Sequence, residues 1–77
     1  MNFSLDKLYL SLYESLKHRR SAIEDASALT TTITGKLSSK YSSPKIPKQE
    51  LIDLVAGVLK RFNKPAHVYY IAYYANN

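Results

Sequence analysis

The amino-acid sequence predicts an all-α fold, a compact bundle of four helices in a single domain that spans residues 1–77. A chain of 77 residues is too short to divide its apolar side chains between two cores. Apolar residues recur at intervals of three and four along most of its length, which is the period of a helix. Cysteine is absent, so neither a disulfide nor a thiolate metal site stabilises this small core.

The first helix is predicted at about residues 5–18. Its apolar residues form one stripe: Leu5, Leu8, Tyr9, Leu12, Tyr13 and Leu16. Ser4 stands where an N-cap belongs, and Asp6 lies in the first turn, where the helix dipole favours a negative charge. The basic run from Lys17 to Arg20 suits the C-terminal pole of this helix.

The second helix is predicted at about residues 21–37, where Ser21 and Glu24 have the spacing of a capping box. Five residues step along one face at helical intervals: Ala22, Ala26, Leu29, Ile33 and Leu37. The threonines of residues 30–34 favour a strand instead, because β-branched side chains suit extended backbone, and Gly35 weakens the last turn. The helical period holds across the whole segment, so a helix is the better interpretation.

Residues 38–47 are predicted to form a basic loop, because serines, Pro44 and Pro47 discourage regular structure. We expect Tyr41 and Ile46 to anchor this loop against the core. The third helix, at about residues 48–62, has the clearest pattern in the chain. Its apolar face consists of Leu51, Leu54, Val55, Val58, Leu59 and Phe62.

The last segment is ambiguous from local rules, because the residues from His67 to Tyr74 have the β propensity of a strand. The only partner strand would be the threonine run, and two strands alone are marginally stable. We therefore predict a fourth helix at about residues 65–75. Its core face is expected to consist of Val68, Ile71, Ala72 and Ala75, with Tyr70 and Tyr74 largely internal beside it.

The remaining two tyrosines of this helix, Tyr69 and Tyr73, form a candidate interface. Tyrosine is enriched at protein interfaces because its ring is apolar and its hydroxyl tolerates water. We therefore expect a protein partner, or self-association, at this helix. The simpler interpretation is that half of the tyrosines pack inward beneath the loop.

Composition limits the classes of function. Eleven Lys and Arg against six Asp and Glu give a net charge of +5 and a pI near 9.6, which favours polyanionic partners such as nucleotides or nucleic acid. No apolar run reaches the roughly 18–20 residues of a membrane span, and the N-terminus does not resemble a secretory signal. We expect a cytoplasmic protein that does not act at a membrane.

Catalysis is not expected from this sequence. The two histidines, His18 and His67, have no spacing that suggests a shared metal site, and no nucleophile–base arrangement or pair of converging carboxylates can be identified. Two glycines are too few for a Walker-type phosphate loop. The sequence therefore predicts a non-enzymatic binding module without a metal.

Several basic residues are candidates for a polyanion-binding patch. The run at the end of the first helix would supply one part of it, and the loop would extend it if the chain folds back towards that run. A basic run at this position more often only stabilises the C-terminal end of a helix, through its interaction with the helix dipole. The candidate residues are Lys17, Arg19, Arg20, Lys40, Lys45 and Lys48.

Three segments, in order, resemble the ATP-cone, the nucleotide-sensing domain of many ribonucleotide reductases and of the bacterial repressor of their genes. FSLDKL at residues 3–8 is similar to the family's Phe-Asp-x-x-Lys-Ile/Leu opening of the first helix. IPKQELIDLV at residues 46–55 resembles the segment Ile-x-x-x-x-Ile-x-x-x-Val, and PAHVYYIA at residues 65–72 resembles Val-Ala-Tyr-Val-Arg-Phe-Ala. The resemblance extends from Phe3 to about Tyr74.

The resemblance implies a four-helix bundle that binds ATP or dATP beneath a small β-hairpin. The sequence contains nothing like the basic turn of that hairpin, and only Lys7 corresponds to a family residue that reaches the phosphates. His67 and Tyr69 stand where the family usually has tyrosine and arginine. We therefore expect an ATP-cone-like bundle that lacks its hairpin, or a segment of a longer protein.

Three functional hypotheses follow. The first is a regulatory module related to the ATP-cone, acting by protein–protein contact or by residual binding of ATP or dATP through Lys7. The second is a basic helical module that binds nucleic acid or a nucleic-acid-bound protein complex. The third is a structural oligomerisation domain.

Overall fold

The computed structural model describes residues 4–40 and 46–75. These residues form four α-helices: α1, Leu5–Leu16; α2, Ala22–Lys40; α3, Lys48–Phe62; and α4, Lys64–Tyr70. One turn of π-helix, Ile71–Ala75, continues α4. The described ranges contain no strand, and the predicted all-α fold of four helices is confirmed.

The bounds of α3 agree with the prediction, whereas α1 ends two residues early and α2 begins one residue late and ends three residues late. α1 ends at Leu16, and α2 continues past Gly35 to Lys40, where the sequence predicted a loop.

The threonine run is helical because Leu29, Ile33 and Leu37 bury one face of this segment in the core, which outweighs the strand preference of β-branched residues. The hydroxyls of Thr31 and Thr32 donate to carbonyls four residues earlier, each at 3.1 Å, whereas the buried hydroxyls of Thr30 and Thr34 have no hydrogen-bond partner among the described residues.

At the start of α2, the Ser21 hydroxyl donates to the carboxylate of Asp25 at 2.7 Å and does not cap the helix with Glu24 as predicted. Arg19 Nε donates to the same carboxylate oxygen at 2.8 Å. These bonds to Ser21 and then to Arg19 lower the pKa of Asp25. The predicted capping box is therefore replaced by a bridge between the α1–α2 connection and the first turn of α2.

The core lies where all four helices meet, and α1 and α2 form its most extensive contact. The predicted face of α2 is buried along its whole length, and Ile46 is also buried, as predicted. The predicted stripe of α1 is correct except for Leu5, which is exposed at the end of the helix. Tyr41 lies outside the described residues. The fully enclosed apolar side chains are Leu12, Leu16, Ala26, Ile33, Val55, Leu59 and Ala66.

The predicted core face of the fourth helix is wrong at two of its four positions, Ile71 is half-buried, and the side chain of Ala75 lies outside the described part of the structure. Val68 is 63% exposed and Ala72 is also exposed, whereas Ala66 and Tyr70 are buried and Tyr74 is half-buried. The helix turns Tyr70 and Tyr74 towards the core because an aromatic ring removes more apolar area from water than a valine or an alanine does. The expectation that Tyr70 is internal is confirmed.

Asn63 lies at the end of the bundle where the α1–α2 connection meets the α3–α4 connection. We call this end the turn end (residues 17–21 and 62–64). The Oδ1 of Asn63 accepts a hydrogen bond from the backbone N–H of Ala66 at 3.0 Å and thereby caps α4. The same oxygen lies 3.2 Å from Nε2 of His18, which must therefore carry the hydrogen. This contact fixes the α1–α2 connection against the start of α4.

A second contact orients Phe62 at the turn end. The guanidinium of Arg19 lies over the Phe62 ring, 5.1 Å from its centroid. Phe62 nevertheless remains 41% exposed, although the sequence placed it on the apolar face of the third helix. The opposite end of the bundle, which we call the open end, holds the first turns of α1 and α3 and the last turn of α2.

Replacing Leu12 with alanine is expected to destabilise the protein by about 2–5 kcal/mol, because it leaves a cavity in the closed core. Leu10 is the matched control, since it lies on the same helix and is 57% exposed. Its replacement with alanine should change the free energy of unfolding by less than about 0.5 kcal/mol. Urea denaturation followed by circular dichroism measures both, and equal losses would contradict the described packing of α1.

Candidate functional site

A cavity of about 630 Å³ lies near the open end, between α1, α3 and the C-terminal part of the α4 helix. Its lining combines apolar side chains, serines and lysines. A volume of roughly 300–1,000 Å³ is typical of small-molecule sites. The lining residues are Ser4, Lys7, Leu8, Leu10, Ser11, Lys48, Leu51, Ile52, Tyr70 and Tyr74.

Two lysines on different helices line this cavity. Lys7 belongs to the first turn of α1, and Lys48 is the first residue of α3. Both therefore stand at helix N-termini, where the macrodipole disfavours positive charge. Their positions do not improve the stability of either helix. An anion in the cavity would balance the positive charge of both lysines and of both helix N-termini.

The first turn of α3 lacks a side-chain cap. Pro47 occupies its N-cap position and makes no capping hydrogen bond, so the first N–H groups of α3 have no side-chain acceptor there. α1 differs, because the Ser4 hydroxyl accepts from the N–H of Lys7 at 3.3 Å. At these two helix N-termini, the first turn of α3 therefore has more N–H groups that are free to bind an anion than the first turn of α1.

The acidic residues nearby do not line the cavity. Asp6 borders a separate groove between α1 and α2, and Glu50 forms an ion pair with Lys40 at 3.7 Å. Asp53 accepts a hydrogen bond from the side chain of Gln49 at 2.9 Å. Among the described residues that line the cavity, the two charged side chains are therefore both positive, which favours an anionic ligand.

Two stacked tyrosines form an aromatic wall of the cavity. The ring centroids of Tyr70 and Tyr74 are 5.4 Å apart, with an interplanar angle of 21°. Burial raises the pKa of Tyr70 to about 12, with a smaller contribution from Tyr74. Burial also raises the pKa of Tyr74. Both hydroxyls are therefore neutral near pH 7 and can donate hydrogen bonds to a ligand.

The structure divides the predicted polyanion patch between the two ends of the bundle. Lys17 and Arg19 lie at the turn end, where Lys17 pairs with Glu14 at 2.9 Å. Lys40 ends the 19-residue helix α2, about 27 Å along its axis from the turn. The Lys40–Glu50 pair brings α2 and α3 together at that opposite end.

Arg20 is exposed at the turn end, and Lys45 lies outside the described residues. Lys48 is brought to the cavity and to Lys7 instead of to the basic run. The sequence singled out these two lysines for separate reasons. Their shared cavity was not predicted, and neither were the lining residues Ser4 and Ser11.

The two tyrosines of the candidate interface lie together on α4. Their ring centroids are 4.4 Å apart, Tyr73 is 59% exposed and Tyr69 is half-buried. Val68 and Ala72 are exposed on the same helix. The outward side of α4 is therefore more apolar than the sequence indicated, because its predicted core residues face solvent.

Within the described residues, no group of three or more His, Cys, Asp or Glu side chains could hold a metal ion. None of the helices in the described ranges has the length and hydropathy that crossing a membrane requires. No family model matches the sequence, and no curated protein or solved structure matches it significantly.

The buried phenol of Tyr70 predicts a loss of stability in strong alkali. In the unfolded chain a tyrosine ionises near pH 10, whereas in the folded protein the pKa of Tyr70 is about 12. Stability from this group is therefore complete below pH 10 and is lost as the pH rises towards about 12. Thermal melts between pH 9 and pH 12 should show a steeper fall for the wild-type protein than for Tyr70→Phe, and parallel falls would contradict the burial of this hydroxyl.

Proposed function

We propose that this protein is a non-catalytic regulatory module that binds a nucleoside triphosphate, ATP or dATP, in the cavity at the open end. The observation that supports the proposal is the placement of Lys7 and Lys48, from two helices, on one cavity without an acidic lining residue. The resemblance of residues 3–8 and 46–55 to the ATP-cone agrees with the same two helix starts.

The ligand's phosphates would lie between the two lysines and the uncapped first turn of α3. A lysine acts on phosphate as a point charge, and free N–H groups at a helix N-terminus are suited to anions. The base would pack against the apolar lining of the cavity, which includes Leu51, Ile52 and the ring of Tyr74. Aromatic rings stack well on nucleobases, whereas they gain little from inorganic phosphate.

The same lining supports the proposal that the module binds its ligand without turning it over. None of its ten described residues is a histidine, an aspartate or a glutamate, which are the usual general bases. Lysines that neutralise phosphate and tyrosines that stay protonated hold a ligand without activating a nucleophile. We therefore propose that occupancy of the cavity, and not a reaction, is the signal that the module transmits.

ATP and dATP are expected to raise the melting temperature of the wild-type protein in a saturable way. A ligand at about 100 times its Kd stabilises a folded protein by about 2.7 kcal/mol. Lys7→Gln/Lys48→Gln should lose most of this shift, because it removes both cations of the cavity. Thermal-shift titration measures the effect.

The matched control is Arg20→Gln/Lys64→Gln, which removes the same charge at the turn end and should keep the nucleotide response. Inorganic triphosphate separates phosphate binding from recognition of the nucleoside. A shift that both double variants lose equally, or that triphosphate reproduces in full, would argue against a nucleotide site in the cavity.

We further propose that the outward side of α4 makes the protein–protein contact through which the module acts, by self-association or with a protein partner. Val68 and Tyr73 are 63% and 59% exposed, and Ala72 lies exposed between them in the sequence. Contiguous exposed apolar residues of this kind are typical of interaction sites. Aromatic residues contribute strongly to such contacts.

Self-association at this face predicts a concentration-dependent mass in sedimentation equilibrium. Val68→Ser/Tyr73→Ser should shift the protein towards monomer, because it removes the two most exposed large side chains of α4. Ile23→Ser is the control, since Ile23 is 64% exposed on α2. A wild-type protein that stays monomeric at high concentration would exclude self-association and leave only a separate protein partner.

A further inference from the structure

A second concave surface, which we call the basic groove, lies between α2 and α3 and extends to the turn end. It has a volume of about 310 Å³ and is separate from the cavity that holds Lys7 and Lys48. Its lining combines apolar side chains with one cation from each of the two helices. The lining residues are Leu29, Thr32, Lys36, Val58, Arg61 and Phe62.

The cations of the groove come from different helices. Lys36 belongs to α2 and Arg61 to the last turn of α3, and Arg19 reaches over the Phe62 ring from the α1–α2 connection. Arg20 follows Arg19 in the sequence, and Lys60 and Lys64 adjoin the α3–α4 junction; all three are exposed. The folded chain thus gathers here cations that are far apart in the sequence.

Most of this charge is not neutralised by the protein. Among residues 4–40 and 46–75, the ion pairs involve Lys17, Arg19 and Lys40, and none involves the two cations that line the groove. The acidic residues at this end are Asp25, which is paired with Arg19, Glu14, which is paired with Lys17, and Glu24 on the first turn of α2. Positive charge therefore exceeds negative charge along the groove.

Helix stability accounts for only part of this arrangement. Lys60 and Arg61 suit the negative end of the α3 dipole. Lys36, in the interior of α2, has no such role, and a phenylalanine that stays 41% exposed beside a guanidinium adds little to the core. A partly exposed ring beneath the Arg19 guanidinium shares this groove with two cations that form no ion pair within the described residues, Lys36 and Arg61, and this combination suits an anionic ligand that carries a planar group.

We propose that the basic groove binds single-stranded nucleic acid. Lys36 and Arg61 contact successive phosphates, and an unstacked base packs on the Phe62 ring and the Arg19 guanidinium. Proteins that bind single strands combine a positive groove with aromatic stacking platforms, and bases also stack on arginine. An acidic peptide would use the cations but would gain nothing specific from the ring, so the aromatic contact favours nucleic acid.

The test is fluorescence anisotropy of the full chain with labelled U12 RNA and dT12 DNA at several salt concentrations. Lys36→Gln/Arg61→Gln should weaken binding by about tenfold or more and reduce the salt slope by roughly 1.4, about 0.7 for each phosphate that the variant no longer neutralises. Lys7→Gln/Lys48→Gln is the matched control: it removes the same charge from the cavity and should change the affinity by less than about threefold. The two oligonucleotides show which kind of strand is preferred.

The aromatic contact is tested separately from charge. Phe62→Leu keeps an apolar side chain and should weaken binding by about fivefold or more without changing the salt slope, whereas Phe62→Tyr keeps the ring and should retain binding. Circular dichroism and thermal melts establish that each variant is folded. Failure of both oligonucleotides to bind at low salt, equal losses in the two double variants, or full affinity in Phe62→Leu would each overturn the proposal.

Discussion

The arrangement of the bundle depends on the carboxamide of Asn63. Its single oxygen caps the first turn of α4 and accepts a hydrogen bond from His18, 45 residues earlier in the sequence. The cap fixes where α4 begins, and the bond to His18 joins the α1–α2 connection to the start of α4. Packing against the core then decides which side chains of α4 point inward, so that Tyr70 is buried and Tyr74 lines the cavity.

Sequence reasoning predicted α1, α2 and α3 well because each has an apolar face that repeats at the helical period. It failed on the rotation of α4, where both Val68 and Tyr70 fit a helical stripe and only packing decides between them. It also ended α2 too early, since glycine lowers helix propensity but tertiary contacts outweigh a cost of about 1 kcal/mol. The Ile46 anchor was predicted correctly, because an apolar residue between two prolines has few other roles.

The candidate site could be predicted only in fragments. Lys7 was identified by resemblance and Lys48 by its charge, but they are far apart in the sequence and no local rule places both on one cavity. The predicted polyanion patch fails for the opposite reason, because residues that were expected to lie together are far apart. The length of α2 places its basic residues at opposite ends of the bundle. Meanwhile Arg61 and Lys36, which the sequence did not single out, share a groove with Phe62.

The short length of α4 has a consequence for any molecule bound at the open end. With seven α-helical residues and a terminal π turn, this segment is too short to be helical alone in water, so its folding depends on contact with α1 and α3. Its local unfolding would remove the aromatic wall of the cavity. Binding of a ligand in the cavity and folding of this segment would therefore stabilise each other. The rate of hydrogen exchange of the backbone amides in this segment would then report whether the cavity is occupied.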